Sequence, residues 1–87
     1  MNQENMAQMI RAKVIELAAE IGQNASALAN DQMIPGTGYL DSPAIMGLIA
    51  WYEMAFDLDI PQEDVTIDNF GSVRQMVDYA QKHGAKT

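Results

Sequence analysis

The sequence has 87 residues, a formal net charge of −7 and no cysteine. Its length predicts a single domain over residues 1–87 with one modest core, and the lack of cysteine excludes disulfides, thiolate nucleophiles and cysteine-ligated metal sites. Ten carboxylates and no lysine or arginine lie between Lys13 and Arg74. Such a surface repels nucleic acid and anionic lipid and attracts basic proteins, although acidity also simply keeps a small domain soluble.

The start of the chain is polar and has no basic segment of the kind that begins a signal peptide. The longest apolar run, residues 44–52, is too short to cross a bilayer. We therefore expect a cytoplasmic protein with no membrane insertion.

The first predicted helix runs from about Glu4 to Ile21 and ends before Gly22, a residue that commonly follows a helix C-cap. Its apolar positions recur at steps of three and four: Met6, Met9, Ile10, Val14, Leu17 and Ile21. Residues 23–40 are rich in asparagine, glycine and proline and are predicted to form a long loop, which in a small domain tends to carry function. The side chains expected to anchor this loop to the core are Leu28, Met33, Ile34 and Leu40.

The second predicted helix has Ser42 as its N-cap and Pro43 as its first residue, and it continues to about Phe56. Its buried face should consist of Ile45, Leu48, Ile49, Tyr52 and Phe56. The Ser42 hydroxyl would then lie near free backbone N–H groups and the positive end of the helix macrodipole. A phosphodiester attached there would be stabilised by about 0.3–1 kcal/mol.

Two further helical segments complete the chain. Pro61 is predicted to open a short third helix, and Asp68 or Asn69 to cap a last helix that Gly84 ends. The last helix should bury Val73, Met76, Val77 and Ala80 and carry Lys82 and His83 at its end. No segment alternates with a period of two, so we predict an all-α four-helix bundle: three main helices, one short helix and a long loop between the first two.

The second helix also carries apolar or small residues off its predicted buried face: Met46, Gly47, Ala50 and Met54. Trp51 is expected at the edge of the core. An apolar outer face with small residues that allow close approach suggests a docking site for another protein. A crowded core that also buries these positions is the alternative.

Neither catalysis nor metal binding by the chain's own side chains is favoured. The single histidine, His83, is interpreted as a cation at a helix end. The sequence offers Ser42 no general base of the kind found in a catalytic triad. The run from Asp57 to Asp64 faintly resembles a calcium loop, but Gln62 stands where such a loop needs glycine. Solvated carboxylates around a short helix are the simpler interpretation, so we predict no metal site and no enzyme.

Several of these segments together resemble the acyl carrier protein family over roughly residues 6–83. The matching segments are Leu40-Asp41-Ser42 before an apolar helix, Phe56-Asp57, Ile60-Pro61, Glu63-Asp64-Val65 and Asn69-Phe70-x-Ser72-Val73. The serine motif is short, but its combination with the downstream spacing is specific. In the first helix only the apolar pattern corresponds.

This resemblance implies that Ser42 is esterified by 4′-phosphopantetheine, which a phosphopantetheinyl transferase delivers from coenzyme A. The thiol of that arm would hold an acyl or aminoacyl group as a thioester, and part of the cargo can be sheltered between the helices in this family. Asp41 would assist recognition by the transferase. Further implied partners are a ligase that loads the cargo and downstream synthase or transferase enzymes. We expect a monomer, with dimerisation through the apolar face of the serine-bearing helix as the alternative.

The chain departs from the family pattern at two places. Pro43 stands where leucine usually follows the serine, which suggests altered transferase docking or, alternatively, a carrier-like interaction module that is never modified. Between Ser42 and Asp57 the only carboxylate is Glu53, whereas carriers of fatty acid synthesis usually have several. We therefore expect a specialised carrier that docks mainly through apolar contacts of Met46, Gly47, Ala50 and Met54, beside Pro43 and Glu53.

Overall fold

The computed structural model describes residues 2–84, and all regular structure in this range is helical. The helices are α1 (Gln3–Glu20), α2 (Ile34–Thr37), α3 (Ser42–Phe56), a 3₁₀ helix (Gln62–Asp64), α4 (Ile67–Phe70) and α5 (Val73–Lys82). The predicted all-α bundle is confirmed, with α1 packed against both α3 and α5. None of these helices combines the length and hydropathy that a bilayer crossing requires.

The structure contains more short helices than the sequence predicted. The turn α2 lies inside the segment predicted as loop, and α4 precedes the last helix as a separate element. The segment after Pro61 is helical as predicted, but it is a single 3₁₀ turn. The three long helices, α1, α3 and α5, form the framework to which these short pieces are attached.

Helix α1 ends as its sequence predicts. Gly22 has a positive φ of 79°, a conformation that glycine adopts without steric cost. Its N–H donates to Ala19 O, and the N–H of Gln23 donates to Ala18 O at 2.8 Å. This pair of bonds is the Schellman arrangement, which satisfies carbonyls that the helix itself leaves free.

The buried stripe of α1 is narrower than predicted. Met6, Ile10, Val14 and Ala18 are buried, whereas Met9 and Leu17 are only partly buried. Ile21 is 40% exposed, so its predicted place in the core is wrong. The helix has ended by this residue, and the turn through Gly22 carries the chain away.

The long segment between α1 and α3 is held to the core by buried side chains and by one arginine. Leu28, Ile34 and Leu40 are buried as predicted, but Met33 is 40% exposed and was wrongly placed in the core. Arg11 donates from Nε and Nη2 to Leu28 O, at 3.1 and 2.8 Å. A charged donor bonded to a carbonyl is among the stronger kinds of hydrogen bond, so Arg11 restrains a segment that has little helix of its own.

The caps of the last two helices differ from the prediction that Asp68 or Asn69 begins the final helix. Thr66 caps α4 by accepting from the N–H of Asn69, and Ser72 caps α5 by accepting from the N–H of Gln75. Gly71 lies between the two helices, where any side chain would collide with the methyl group of Met33 and the carbonyl of Ile67. Glycine at this position therefore allows the close turn between α4 and α5.

Candidate functional site

The start of α3 is capped by Asp41, and the prediction that Ser42 is the N-cap is wrong. Asp41 has an extended backbone, with φ −87° and ψ 177°, and its Oδ1 accepts from the N–H of Ala44 at 2.9 Å. Its carbonyl also accepts the first bond of the helix, from Ile45 N–H. Aspartate and serine are both good N-caps, and here the first helical turn begins one residue earlier than predicted.

This shift leaves Ser42 as the first helical residue and Pro43 as the second, both exposed. Within residues 2–84 the Ser42 hydroxyl makes no hydrogen bond, because the cap is supplied by its neighbour. Pro43 has no N–H and Ala44 donates to Asp41, so within residues 2–84 the free donors at this end of α3 are the backbone N–H groups of Ser42 and of the cap residue Asp41. Among residues 2–84, two free backbone N–H groups therefore remain at this helix end.

A pair of alanine variants tests the identity of the cap. We expect Asp41→Ala to lower the free energy of unfolding by about 1 kcal/mol, because Ala44 N–H loses its acceptor. Ser42→Ala should change it by less than about 0.5 kcal/mol, since the hydroxyl has no hydrogen-bond partner among residues 2–84. Urea unfolding of both variants measures the difference. A larger loss for Ser42→Ala would contradict the assignment.

The outer face of α3 is apolar and open to solvent. Met46 is 60% exposed and Met54 is 84% exposed, while Pro43, Gly47 and Ala50 are exposed between and beside them. A side chain at Gly47 would meet open space. The alternative in which the core buries these positions is therefore excluded. Their use as a docking surface remains a prediction.

The inner face of the same helix packs as predicted, with Leu48, Ile49, Tyr52 and Phe56 buried. Ile45, at the start of this face, is only partly buried. Trp51 lies at the edge of the core, where its ring meets that of Phe56 edge-on with 6.0 Å between centroids. The outer and inner faces of α3 are therefore well separated.

Glu53 has a structural contact that the sequence does not reveal. Its side chain is partly buried, and Oε2 accepts from the N–H of Ile60 at 3.0 Å. Its carbonyl accepts from the N–H groups of Asp57 and Leu58, where Asp57 closes α3 with a left-handed conformation of φ 53°. Glu53 thus fixes the loop that follows α3, and a role in docking would come in addition to this one.

The acidic segment after α3 does not gather its carboxylates. Within residues 2–84 no three His, Cys, Asp or Glu side chains are placed to share a metal ion. Asp64 instead accepts a hydrogen bond from the Tyr79 hydroxyl at 2.8 Å. Burial, together with this bond and the Asp64 charge, raises the pKa of Tyr79 to about 12. The tyrosine therefore stays protonated and joins the 3₁₀ segment to α5.

His83 occupies the C-cap of α5, the helix end at which the sequence predicted it. Its N–H donates to Tyr79 O at 3.1 Å, and its ring stacks on that of Tyr79 with 4.0 Å between centroids. These contacts explain the residue by the ending of a helix and by packing. They assign it no part in chemistry at Ser42.

Three exposed apolar residues outside α3 were not predicted from the sequence: Ile21, Met33 and Ile67. Ile67, the first residue of α4, is 59% exposed. Recognising Thr66 as a cap would have placed Ile67 in the first helical turn, where side chains commonly face solvent. Exposed Met33 was missed because an apolar residue in a long loop was taken for an anchor.

No family model, curated protein or solved structure matches this chain. The likeness to carrier proteins therefore rests on the residues themselves. These are the Asp41 and Ser42 pair at the start of α3 and the spaced segments that follow Phe56.

Proposed function

We propose that this chain is a carrier protein whose Ser42 is esterified with 4′-phosphopantetheine and which presents acyl or aminoacyl groups to partner enzymes. The observation that supports it most is the exposed Ser42 hydroxyl at the first position of α3, beside a cap supplied by Asp41. The resemblance of the surrounding segments to the acyl carrier protein family is the second support.

The residues at the start of α3 fit the phosphate end of such a group. Ser42 offers an accessible oxygen for the ester and its own backbone N–H as a donor. The positive end of the macrodipole of this 15-residue helix favours an anion there, by about 0.3–1 kcal/mol. When bound, the group supplies a terminal thiol, which this cysteine-free chain lacks, to hold the cargo as a thioester.

Each residue of the site then has a distinct role. Ser42 is an acceptor of the modification and not a catalyst. Asp41 orders the first turn of α3 by binding Ala44 N–H, and so holds the serine on an element that a transferase can recognise. Pro43 stiffens the same turn because its ring fixes φ. No proton transfer by this chain is required, since the partner enzymes supply the chemistry.

The partners proposed are a phosphopantetheinyl transferase, a ligase that loads the cargo, and the downstream synthase or transferase that accepts it. They would dock on the outer face of α3, where Met46 and Met54 are exposed and Gly47 and Ala50 permit close approach. The acidic surface would steer partners that carry a basic rim around an apolar centre. Polyketide, nonribosomal peptide, envelope-modification and lipid pathways all use carriers of this kind.

Intact mass spectrometry tests the proposal. The purified chain is incubated with coenzyme A and a broad-specificity phosphopantetheinyl transferase, with Ser42→Ala as the matched control. We expect the wild-type chain to gain one phosphopantetheine and the variant to gain none. No gain by the wild-type chain with several transferases would overturn the proposal, and a gain by Pro43→Leu alone would identify the proline as the cause.

Pro43 favours a second candidate, a carrier-like interaction module that is never modified. In this case the exposed face of α3 would bind a partner directly, and Ser42 would be an ordinary first-turn residue. The two candidates differ in the mass experiment, because the module would stay at its original mass under every condition.

A further inference from the structure

The space between α3 and α5 is closed by a hydrogen bond across the bundle. Tyr52 is fully buried in the middle of α3, and its hydroxyl donates to Met76 O at 2.6 Å. Burial raises the pKa of Tyr52 well above its usual range, so the hydroxyl keeps its proton and the bond persists. A ligand or acyl chain that separates the two helices must break this bond and leave a buried donor and a buried acceptor without partners.

A row of packed aromatic rings fills the space around this bond. Tyr52 meets Phe56 at 5.2 Å and Phe70 at 5.5 Å between ring centroids, both edge-on. Phe70 in turn meets Tyr79 at 4.7 Å, so the rings extend from α3 through α4 to α5. Contacts of this geometry are favourable beyond the area they bury. An alkyl chain could enter only by displacing at least one ring.

Three clefts among residues 2–84 lie away from this space. A cleft of about 830 Å³ lies between α1, the loop at Leu28 and the start of α5, and two smaller ones lie on either side of Tyr79. None of these three is lined by a residue of α3. Protein interiors are close-packed, and an inserted chain without a preformed space forces side chains and backbone to move.

We infer that the cargo attached through Ser42 stays outside the helical bundle, which restricts it to short or polar acyl and aminoacyl groups. This inference rests on the proposed function, and it names the class of cargo that such a carrier holds. A long hydrocarbon without an interior to enter would expose its apolar surface to water beside the already apolar face of α3. A short or polar group carries no such cost.

The test does not depend on a transferase. Ser42→Cys gives the chain a single thiol, because the sequence contains no cysteine. This thiol is alkylated with two probes that share one flexible linker and end in either an acetyl or a decanoyl amide. Gln62→Cys, at an exposed position outside α3, carries the same probes as a matched control. The readouts are backbone amide chemical shifts and the melting temperature.

We expect the acetyl and decanoyl forms of Ser42→Cys to have the same melting temperature and the same shifts at buried Tyr52, Phe70 and Met76. Shift differences should be confined to exposed residues near the attachment point, as in the Gln62→Cys control. A decanoyl form with a higher melting temperature and displaced shifts at these buried residues would overturn the inference, because a ligand that binds the folded state stabilises it. Failure of phosphopantetheinylation would appear only in the mass experiment, so the two results are separable.

Discussion

Met46→Glu is expected to lower kcat/KM for modification by a phosphopantetheinyl transferase by about 30-fold, the equivalent of ~2 kcal/mol. Met46 is 60% exposed on the outer face of α3, one helical turn after Ser42. A carboxylate at the centre of an apolar contact must lose its hydration without gaining a partner. Steady-state kinetics with each variant as the substrate, after circular dichroism has verified folding, measures the effect.

Glu53→Gln is the matched comparison on the same helix. Glutamine keeps an oxygen that can accept the N–H of Ile60, so the substitution removes the charge and leaves the loop contact in place. We expect a change of less than about three-fold, because a partly exposed charge at the rim contributes little to binding. If Glu53→Gln reduced kcat/KM as much as Met46→Glu, docking would be ionic and the role assigned to the apolar face would be wrong.

Phe56→Ala is expected to lower the free energy of unfolding by about 3–5 kcal/mol. Phe56 is fully buried at the end of α3 and packs edge-on against Trp51 and Tyr52. The total stability of a domain is about 5–15 kcal/mol, so this loss is a large share of what holds the fold together. Urea denaturation followed by circular dichroism provides the measurement.

Met54→Ala provides the control two residues away. Met54 is 84% exposed, so truncating it removes little packing and should change the unfolding free energy by less than about 0.5 kcal/mol. Comparable losses for the two variants would mean that α3 does not bury the face described here. A stable Met54→Ala chain also permits the proposed docking surface to be studied without loss of the fold.

The long helices could be predicted from sequence because their signals are local. A single segment shows both the three- and four-residue spacing of the apolar residues in α1 and the glycine that follows the helix. The buried face of α3 was predicted from the same kind of spacing. The identity of the residue that caps the N-terminus of α3 was harder to predict. Asp41 and Ser42 are adjacent, and both residue types are favoured at the N-cap position. Residue type alone therefore could not decide between them. The choice depends on the residue at which the first helical turn begins.

Contacts between distant segments could not be predicted. Nothing in the sequence of α1 indicates that the guanidinium of Arg11 reaches the carbonyl of Leu28. Tyr52 was placed correctly in the core, but its bond to Met76 O depends on how α3 and α5 meet. The capping patterns at Thr66 and Ser72 were present in the sequence and were overlooked in favour of the nearby Asp68 and Asn69.

Because Asp41 and not Ser42 caps α3, the proposed ester at Ser42 would leave the first side-chain hydrogen bond of the helix in place. The bond that starts the helix runs from Ala44 N–H to Asp41 Oδ1, and the oxygen of Ser42 is not part of it. Had the serine served as the cap, each ester formed on it would have cost the helix its first side-chain hydrogen bond. Dividing the two tasks between adjacent residues would let the proposed ester form without any change in the capped first turn of the helix.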